Sequence, residues 1–176
     1  LFLLKERDSD EPLPLIIWIH GGGLRNGSKN GGIGKVGPLV ASGRYIGASV
    51  GYRLTGEAIW PTQIHDCKAA VRWLRTNAEE YGIDPQQIGV WGSSAGGHLV
   101  AMLGVSGDAV ALEGEVGGPS DVSSQVQCVV DYYGPTEFLS MNDFESKINH
   151  DAADSPESLL VGGAIHEKQD IVRSAS

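Results

Sequence analysis

The sequence predicts an α/β fold in which a mostly parallel sheet carries helices on both faces. Three observations predict it. Short apolar runs, typical of buried strands, alternate with segments of helical periodicity. Glycine-rich turns directly follow two of these runs, where parallel strands present their carboxyl ends and where ligands bind in such sheets. The 176 residues are enough for one domain with its own core, and no internal repeat is visible.

The first half of the chain contains three predicted strands, at residues 1–7, 15–20 and 45–52. The middle run, LIIWIH, is continuously apolar, as expected of a strand buried on both faces. Two prolines and three acidic residues predict a turn at 8–14. A glycine-rich loop is predicted at 21–37, with a short helix starting at Pro38.

The second half begins with the clearest helix, at 61–82, between Pro61 and Gly82, residues suited to a helix start and a helix end. Its apolar residues recur at helical spacing: Ile64, Cys67, Val71, Leu74 and Ala78. The elements predicted after it are a turn at 84–87, a strand at 88–92, a helix at 95–105, a long Gly- and Ser-rich loop, a strand at 126–134 and a short helix at 155–163. The helix at 95–105 is apolar nearly all round, which predicts that it is buried.

Composition excludes several classes of partner. The net charge of −9 argues against nucleic acid and against an anionic membrane surface. No apolar run approaches the ~18 residues of a spanning helix, so a soluble protein is expected, with cytoplasmic and secreted locations both open. Cys67 and Cys128 lie in apolar segments and are expected to be buried free thiols. Neither belongs to a CxxC pair, and no metal or cofactor is expected.

A candidate nucleophile follows the strand at 88–92. The pentapeptide from Gly92 to Gly96 fits G-x-S-x-G, which centres the pattern on Ser94. A residue in a strained strand-to-helix turn needs neighbours without bulk, and the two glycines provide them. The small Ala95 and Gly97 allow the following helix to pack close to the sheet. The alternative is that these glycines and serines simply make a turn.

A second glycine-rich segment, from His20 to Gly23, follows the strand at 15–20 directly. Without side chains, its backbone N–H groups can turn toward a developing oxyanion. A phosphate-binding loop is the alternative, but neither a P-loop nor a G-x-G-x-x-G pattern opening a helix is present here. The combination of this loop with the G-x-S-x-G turn is far more specific than either alone.

The segments IIWIHGGG, WPTQIHDCKAAVRWLRTNAEEYGIDPQQIGVWGSSAGGHLVAMLG and VVDYYGPTEF together resemble the α/β-hydrolase fold. More narrowly, residues 1–139 resemble carboxylesterases with an HGGG loop, including hormone-sensitive-lipase-like enzymes and, above all, microbial feruloyl and acetyl-xylan esterases. The resemblance implies a serine esterase that acts on a small-molecule ester.

By this resemblance Ser94 is the nucleophile, and an oxyanion hole is formed by the backbone N–H groups of Gly22, Gly23 and Ala95. The same resemblance makes His20 a support of the oxyanion loop rather than a base. One departure is Leu24, which stands where the family usually has an aromatic residue.

The family's order is nucleophile, then acid, then histidine, and neither of the segments that usually carry the last two is visible after Ser94. His98, one helical turn beyond the serine, is interpreted as a packing or supporting residue. His150 and His166 lie in polar stretches and are interpreted as solvated loop residues. Asp131, at a strand end, is expected to line the pocket or cap a turn.

The remaining histidine, His65, comes before the serine, in the wrong chain order for a base. We therefore expect the acid and the base to be absent from this chain. It is interpreted as the N-terminal part of a truncated α/β-hydrolase domain, with the core at 1–139 and a lid or connecting region at 140–176. A sheet edge exposed by that truncation would favour self-association.

Three functions remain open from the sequence. The first is a serine carboxylic ester hydrolase that works through an acyl-enzyme at Ser94. The second is a non-catalytic binding protein of the same fold, which the missing acid and base favour. The third is a peptidase of the same fold, against which the HGGG loop argues only weakly.

Overall fold

The computed structural model describes residues 1–6, 10–117 and 121–176. Its sheet has four parallel strands in the order β2-β1-β3-β4. The strands are β1 Leu13–Ile19, β2 Ile46–Val50, β3 Ile83–Ser93 and β4 Cys128–Tyr132. β1 and β3 are the central pair, and Leu15, Ile17 and Ile19 of β1 are almost completely buried. The continuously apolar run thus forms an inner strand, as its sequence predicts.

The helices are α1 Ile33–Ala41, α2 Thr62–Thr76, α3 Ala78–Tyr81, α4 Ala95–Val105, α5 Pro156–Val161 and α6 Gln169–Ser174. α4 contacts β1, β3 and β4, and α2 packs against α4. α1 packs against β2, where Val36 and Val40 lie so close to Gly47 that a side chain there would clash. Side chains alternate along β4: Val129 contacts Gly104 of α4, whereas Val130 faces a cavity lined by α1. The helices therefore cover both faces of the sheet, as predicted.

The two ends of the chain differ from expectation. The strand predicted at 1–7 is wrong, because Phe2 forms only an isolated antiparallel bridge to Gly47; residue 7 lies outside the described residues. Two residues of the turn predicted at 8–14 also lie outside them, and β1 already begins at Leu13. After Pro135, α6 is an element that the weak pattern there did not predict.

In the middle of the chain, several helices and turns begin or end at residues other than the predicted ones. α1 starts at Ile33, inside the predicted loop at 21–37, after a 3₁₀ turn at Lys29–Gly32. The helix predicted at 61–82 is interrupted at Asn77 and ends, as predicted, at a left-handed Gly82. Residues 84–87 are not a separate turn, because they bulge out within β3.

Cys128 is exposed, which corrects the expectation that both cysteines are buried; Cys67 is buried and burial raises the pKa of its thiol. The cause is the position of Cys128 on β4, which pairs only with β3 in the described part of the chain. The side chains of Cys128, Val130 and Tyr132 point away from α4 and line a cavity of about 590 Å³. Helix α1 forms part of the opposite wall of this cavity and does not cover β4. The outer face of β4 is thus open.

A buried charge cluster ties the long loop after α4 to helix α2. Lys68, which is completely buried, donates hydrogen bonds to the Ser106 carbonyl and to Glu113, each at 2.6 Å. Arg72 pairs with the other oxygen of Glu113 at 2.7 Å. Partial burial alone would raise the pKa of Glu113, but the hydrogen bond and charge of Lys68 and the nearby Arg72 lower it. The single carboxylate therefore balances two buried cations.

We expect Glu113→Gln to destabilise the fold by about 2–3 kcal/mol, because it leaves Lys68 and Arg72 buried without a counter-charge. Chemical denaturation measures the loss. Glu115→Gln removes the same charge at an exposed position and serves as the control. Equal stability of the two variants would contradict a structural role for the cluster.

We also expect the 176-residue chain to self-associate through β4, because its outer edge pairs with no strand in the described part of the chain and can pair with a second copy. Sedimentation velocity at increasing concentration measures it. Val130→Lys places a charge on the exposed strand and should shift the chain toward monomer, whereas Ile33→Lys, at an exposed residue of α1, should not. A chain that remains monomeric at every concentration would contradict the prediction.

Candidate active site

Ser94 lies at the turn between β3 and α4, at the carboxyl edge of the sheet. Its backbone has φ 54° and ψ −125°, a conformation that non-glycine residues rarely adopt. Such strain persists only where the surroundings enforce it, and it clusters at functional sites. The serine singled out in the sequence is therefore held in a strained strand-to-helix turn.

Two flanking glycines make this turn possible because backbone occupies the space that a side chain would need. A Cβ on Gly92 would overlap the Gly96 carbonyl. A Cβ on Gly96 would overlap the carbonyl oxygen of Ile19, and that of His20 would lie only 2.7 Å away. The first turn of α4 therefore rests directly on the end of β1, as the small residues in the motif predict.

Hydrogen bonds fix the serine to the neighbouring strand. The Ser94 N–H donates to the Tyr132 carbonyl of β4 at 2.9 Å, and the Ser94 carbonyl accepts from His98 N at 2.9 Å. Asp131, within β4, accepts a hydrogen bond from the Gly134 N–H at 2.9 Å and so caps the turn after the strand, one of the two expected roles of Asp131.

The glycine loop after β1 adopts conformations that explain its composition. Gly22 and Gly23 have φ values of 120° and 60°, where a side chain would be strained. The Gly22 carbonyl accepts hydrogen bonds from the N–H groups of Arg25 and Asn26, which closes the loop. Leu24, at φ 61°, is buried in the core.

His20 lies behind this loop rather than in the cavity. Its ring stacks on Tyr52 with centroids 4.4 Å apart, and its Nδ1 is 2.8 Å from the Gly21 carbonyl. The Tyr52 hydroxyl donates to the His20 carbonyl at 2.8 Å, and burial raises the pKa of that hydroxyl. The imidazole is thus packed at the base of the loop.

A cavity of about 550 Å³ brings the two motifs together. Gly22, Gly23, Ser94 and Ala95 all line it. The rest of its wall comes from the residues after the glycine loop, from α4, from the turn after β4 and from residues 138–157. It includes Leu24, Arg25, His98, Tyr133, Phe138, Met141, Ile148, His150 and Glu157. Among the described residues, no cluster of His, Cys, Asp or Glu could hold a metal ion.

His150 is buried in this cavity, which corrects the interpretation of it as a solvated loop residue. Its Nδ1 lies 3.0 Å from Glu157, itself buried, and its Nε2 lies 3.2 Å from Ser146 Oγ. The sequence held no indication of this, because the pairing depends on how residues 140–157 fold over the glycine loop. Both ring nitrogens contact residues of that same segment.

His98 is buried on α4, in agreement with its interpretation as a packing residue. Its ring lies 4.9 Å from Phe138, and its Nδ1 is 3.1 Å from the Pro135 carbonyl. Since that carbonyl can only accept, Nδ1 carries the proton. Desolvation by burial lowers the pKa of His98 to about 4, so the ring is neutral at pH 7.

The other two histidines lie apart from the cavity lining. His65 on α2 contacts the Ala111 carbonyl at 3.2 Å, and the half-exposed His166 pairs with Asp151 at 2.8 Å. Within the described part of the chain, no side chain makes a hydrogen bond to Ser94 Oγ. The structure therefore places the serine and the glycine loop in one cavity, and no described histidine makes a hydrogen bond to the serine hydroxyl.

The chain is similar to known esterases along most of its length. A family model described as BD-FAE matches residues 1–176. Esterase LipC of Mycobacterium tuberculosis is 32% identical over an alignment of 170 residues, and the match covers 94% of this chain and 40% of that protein. No helix in the described ranges is both long enough and apolar enough to cross a membrane.

Two solved structures share the fold. A bifunctional GH43-CE protein of Bacteroides eggerthii has a TM-score of 0.85 and 32% identity, covering 97% of this chain and 23% of that one. A truncated form of carbohydrate esterase from gut microbiota has a TM-score of 0.84 and 34% identity, covering 96% of this chain and 62% of that one. The chain thus spans less than two thirds of each of these proteins.

These similarities, together with the parallel sheet, confirm the resemblance that the HGGG loop and the G-x-S-x-G turn indicated. The chain belongs to the BD-FAE family and has the α/β-hydrolase fold.

Proposed function

We propose that this chain carries the nucleophile and oxyanion hole of a serine carboxylic ester hydrolase. One observation carries the proposal: a strained serine at the end of β3 lines the same cavity as the glycine loop at the end of β1. A serine and backbone N–H donors that line one cavity are the smallest set of groups that acyl transfer requires. The esterase names of the relatives support the same reaction class.

Backbone hydrogen bonding supports the assignment of the oxyanion hole. The Ser94 N–H is already used by the Tyr132 carbonyl. By contrast, the N–H groups of Gly22, Gly23 and Ala95 donate no hydrogen bond in the described part of the chain. Ala95 is also the first residue of α4, where unpaired N–H groups favour negative charge. These three donors are available to an oxyanion that forms beside Ser94.

The proposed reaction proceeds through an acyl-enzyme. Ser94 Oγ attacks the ester carbonyl, the oxyanion binds at the loop, and the alcohol leaves; water then releases the acid. No described histidine makes a hydrogen bond to Ser94: Nδ1 of His98 contacts the Pro135 carbonyl, and both ring nitrogens of His150 contact residues of their own segment. Nε2 of His98 has no hydrogen-bond partner in the described part of the chain, but burial lowers the pKa of that ring to about 4. The base and its acid are therefore proposed to lie outside this set of residues.

The proposed substrate is a small acylated carbohydrate. The cavity of about 550 Å³ is large enough for an acyl group and part of a sugar. Its wall mixes apolar side chains with the polar groups of Arg25, His150 and Glu157. The carbohydrate esterase among the structural neighbours agrees with this choice. Residues 140–176 would then act as a lid that supplies one side of the cavity, over the core at 1–139.

Chemical rescue tests the proposal. We expect the 176-residue chain to hydrolyse 4-nitrophenyl acetate no faster than its Ser94→Ala variant, because no histidine in the described part of the chain makes a hydrogen bond to Ser94. Added imidazole, acting as the missing base, should then accelerate acetylation of the wild-type chain alone. Release of 4-nitrophenol measures the rate, and mass spectrometry of peptides locates the acetyl group.

Ser93→Ala is the matched control, since it removes the neighbouring hydroxyl and leaves Ser94 in place. Turnover without imidazole that disappears in Ser94→Ala would show that a base lies within the chain, and would point to His150. Equal rates in the wild-type chain and Ser94→Ala at every imidazole concentration would contradict the assignment of Ser94 and favour a non-catalytic binding protein.

A further inference from the structure

Three non-glycine residues in the described part of the chain have a positive φ: Leu24, Ser94 and Tyr133. All three line the same cavity. The energetic cost of the strained backbone at Leu24 is offset by burial of its side chain in the core, and the strain at Ser94 serves the proposed chemistry. Tyr133 has φ 48°, yet the residue is 80% exposed. Neither packing nor the reaction accounts for a strained and exposed aromatic residue.

We propose that Tyr133 is the specificity-determining residue of the site, and that its ring is the platform against which the sugar ring of an acylated carbohydrate packs. This inference rests on the proposed function, because it assigns the alcohol part of the ester to a named surface. A sugar presents C–H groups on the face of its ring, and an aromatic face buries them without a hydrogen bond.

The backbone around Tyr133 is held rigidly. On its C-terminal side, the Gly134 N–H donates to Asp131 at 2.9 Å. A Cβ on Gly134 would overlap Gly97 and the His98 nitrogen, so this turn is pressed against α4. On the N-terminal side, the carbonyl of Tyr132 accepts the Ser94 N–H. The platform is thus adjacent in sequence to the residue whose carbonyl accepts the Ser94 N–H.

Polar groups on the cavity wall complete a surface suited to a sugar. Arg25 follows the glycine loop, and the hydrogen bond found for its guanidinium among the described residues is a long one, 3.5 Å to the Asp154 carbonyl. Its remaining N–H donors are available to hydroxyl groups. The buried Glu157 and His150 contribute an acceptor and an imidazole to the same wall. An aromatic ring flanked by such groups suits a sugar, because the face of a sugar ring is apolar and its hydroxyl groups make the edge of the ring polar.

The test measures binding in a Ser94→Ala background, so that no probe is hydrolysed. The probes are methyl 2-O-acetyl-β-D-xylopyranoside and, as an ester without a ring, butyl acetate, both followed by NMR titration. Tyr133→Gly removes the ring and the backbone strain together. We expect it to weaken binding of the acetylated sugar about tenfold, to leave butyl acetate binding unchanged and to raise Tm by about 2–4 °C.

Tyr133→Phe keeps the ring and should bind the sugar within about twofold of the parent, since stacking needs the aromatic face and not the hydroxyl. Phe144→Ala, which removes an exposed aromatic residue outside the cavity, is the control and should change nothing. Unchanged sugar binding in Tyr133→Gly would overturn the proposal, as would an equal loss for both probes. Because no step of the test needs turnover, sugar binding that depends on Tyr133 would stand even if imidazole rescue failed.

Discussion

The contact between the first turn of α4 and the end of β1 is the constraint on which the site depends. Gly96 touches the carbonyls of Ile19 and His20, and no side chain fits between them. This contact fixes the height of the helix above the sheet, and with it the position of Ser94. It also fixes the point at which the glycine loop leaves β1. The positions of the proposed nucleophile and of the proposed oxyanion donors therefore both depend on this one contact.

The turn after β4 is held against α4 by a second close contact between backbone atoms. Gly97 and Gly134 also approach each other too closely for a side chain, and the Tyr132 carbonyl accepts a hydrogen bond from the Ser94 N–H. Three adjacent strands, β1, β3 and β4, thus each contribute their carboxyl end to one cavity. This is the general placement of ligands in parallel sheets, realised here by backbone contacts more than by side chains.

Local patterns predicted the parts of the fold that local chemistry determines. The inner strand, the apolar helix after Ser94 and the glycine turns are all visible in the sequence, since each depends on residues close together in the chain. The burial of His150 was not predictable, because its contact with Glu157 forms only when a polar segment folds over the glycine loop. The prediction that Cys128 is buried was wrong for a related reason. An apolar run indicates a strand, but it does not indicate whether both faces of that strand are covered.

The hydrogen bond from Ser94 to Tyr132 also has a consequence for folding order. It joins the turn after β3 to a strand that is synthesised nearly forty residues later. Until β4 has paired with β3, the Ser94 N–H lacks its acceptor and the strained turn lacks one of its restraints. An emerging or partly unfolded chain in which β4 has not yet paired therefore carries the serine without a hydrogen bond that helps to hold its strained conformation.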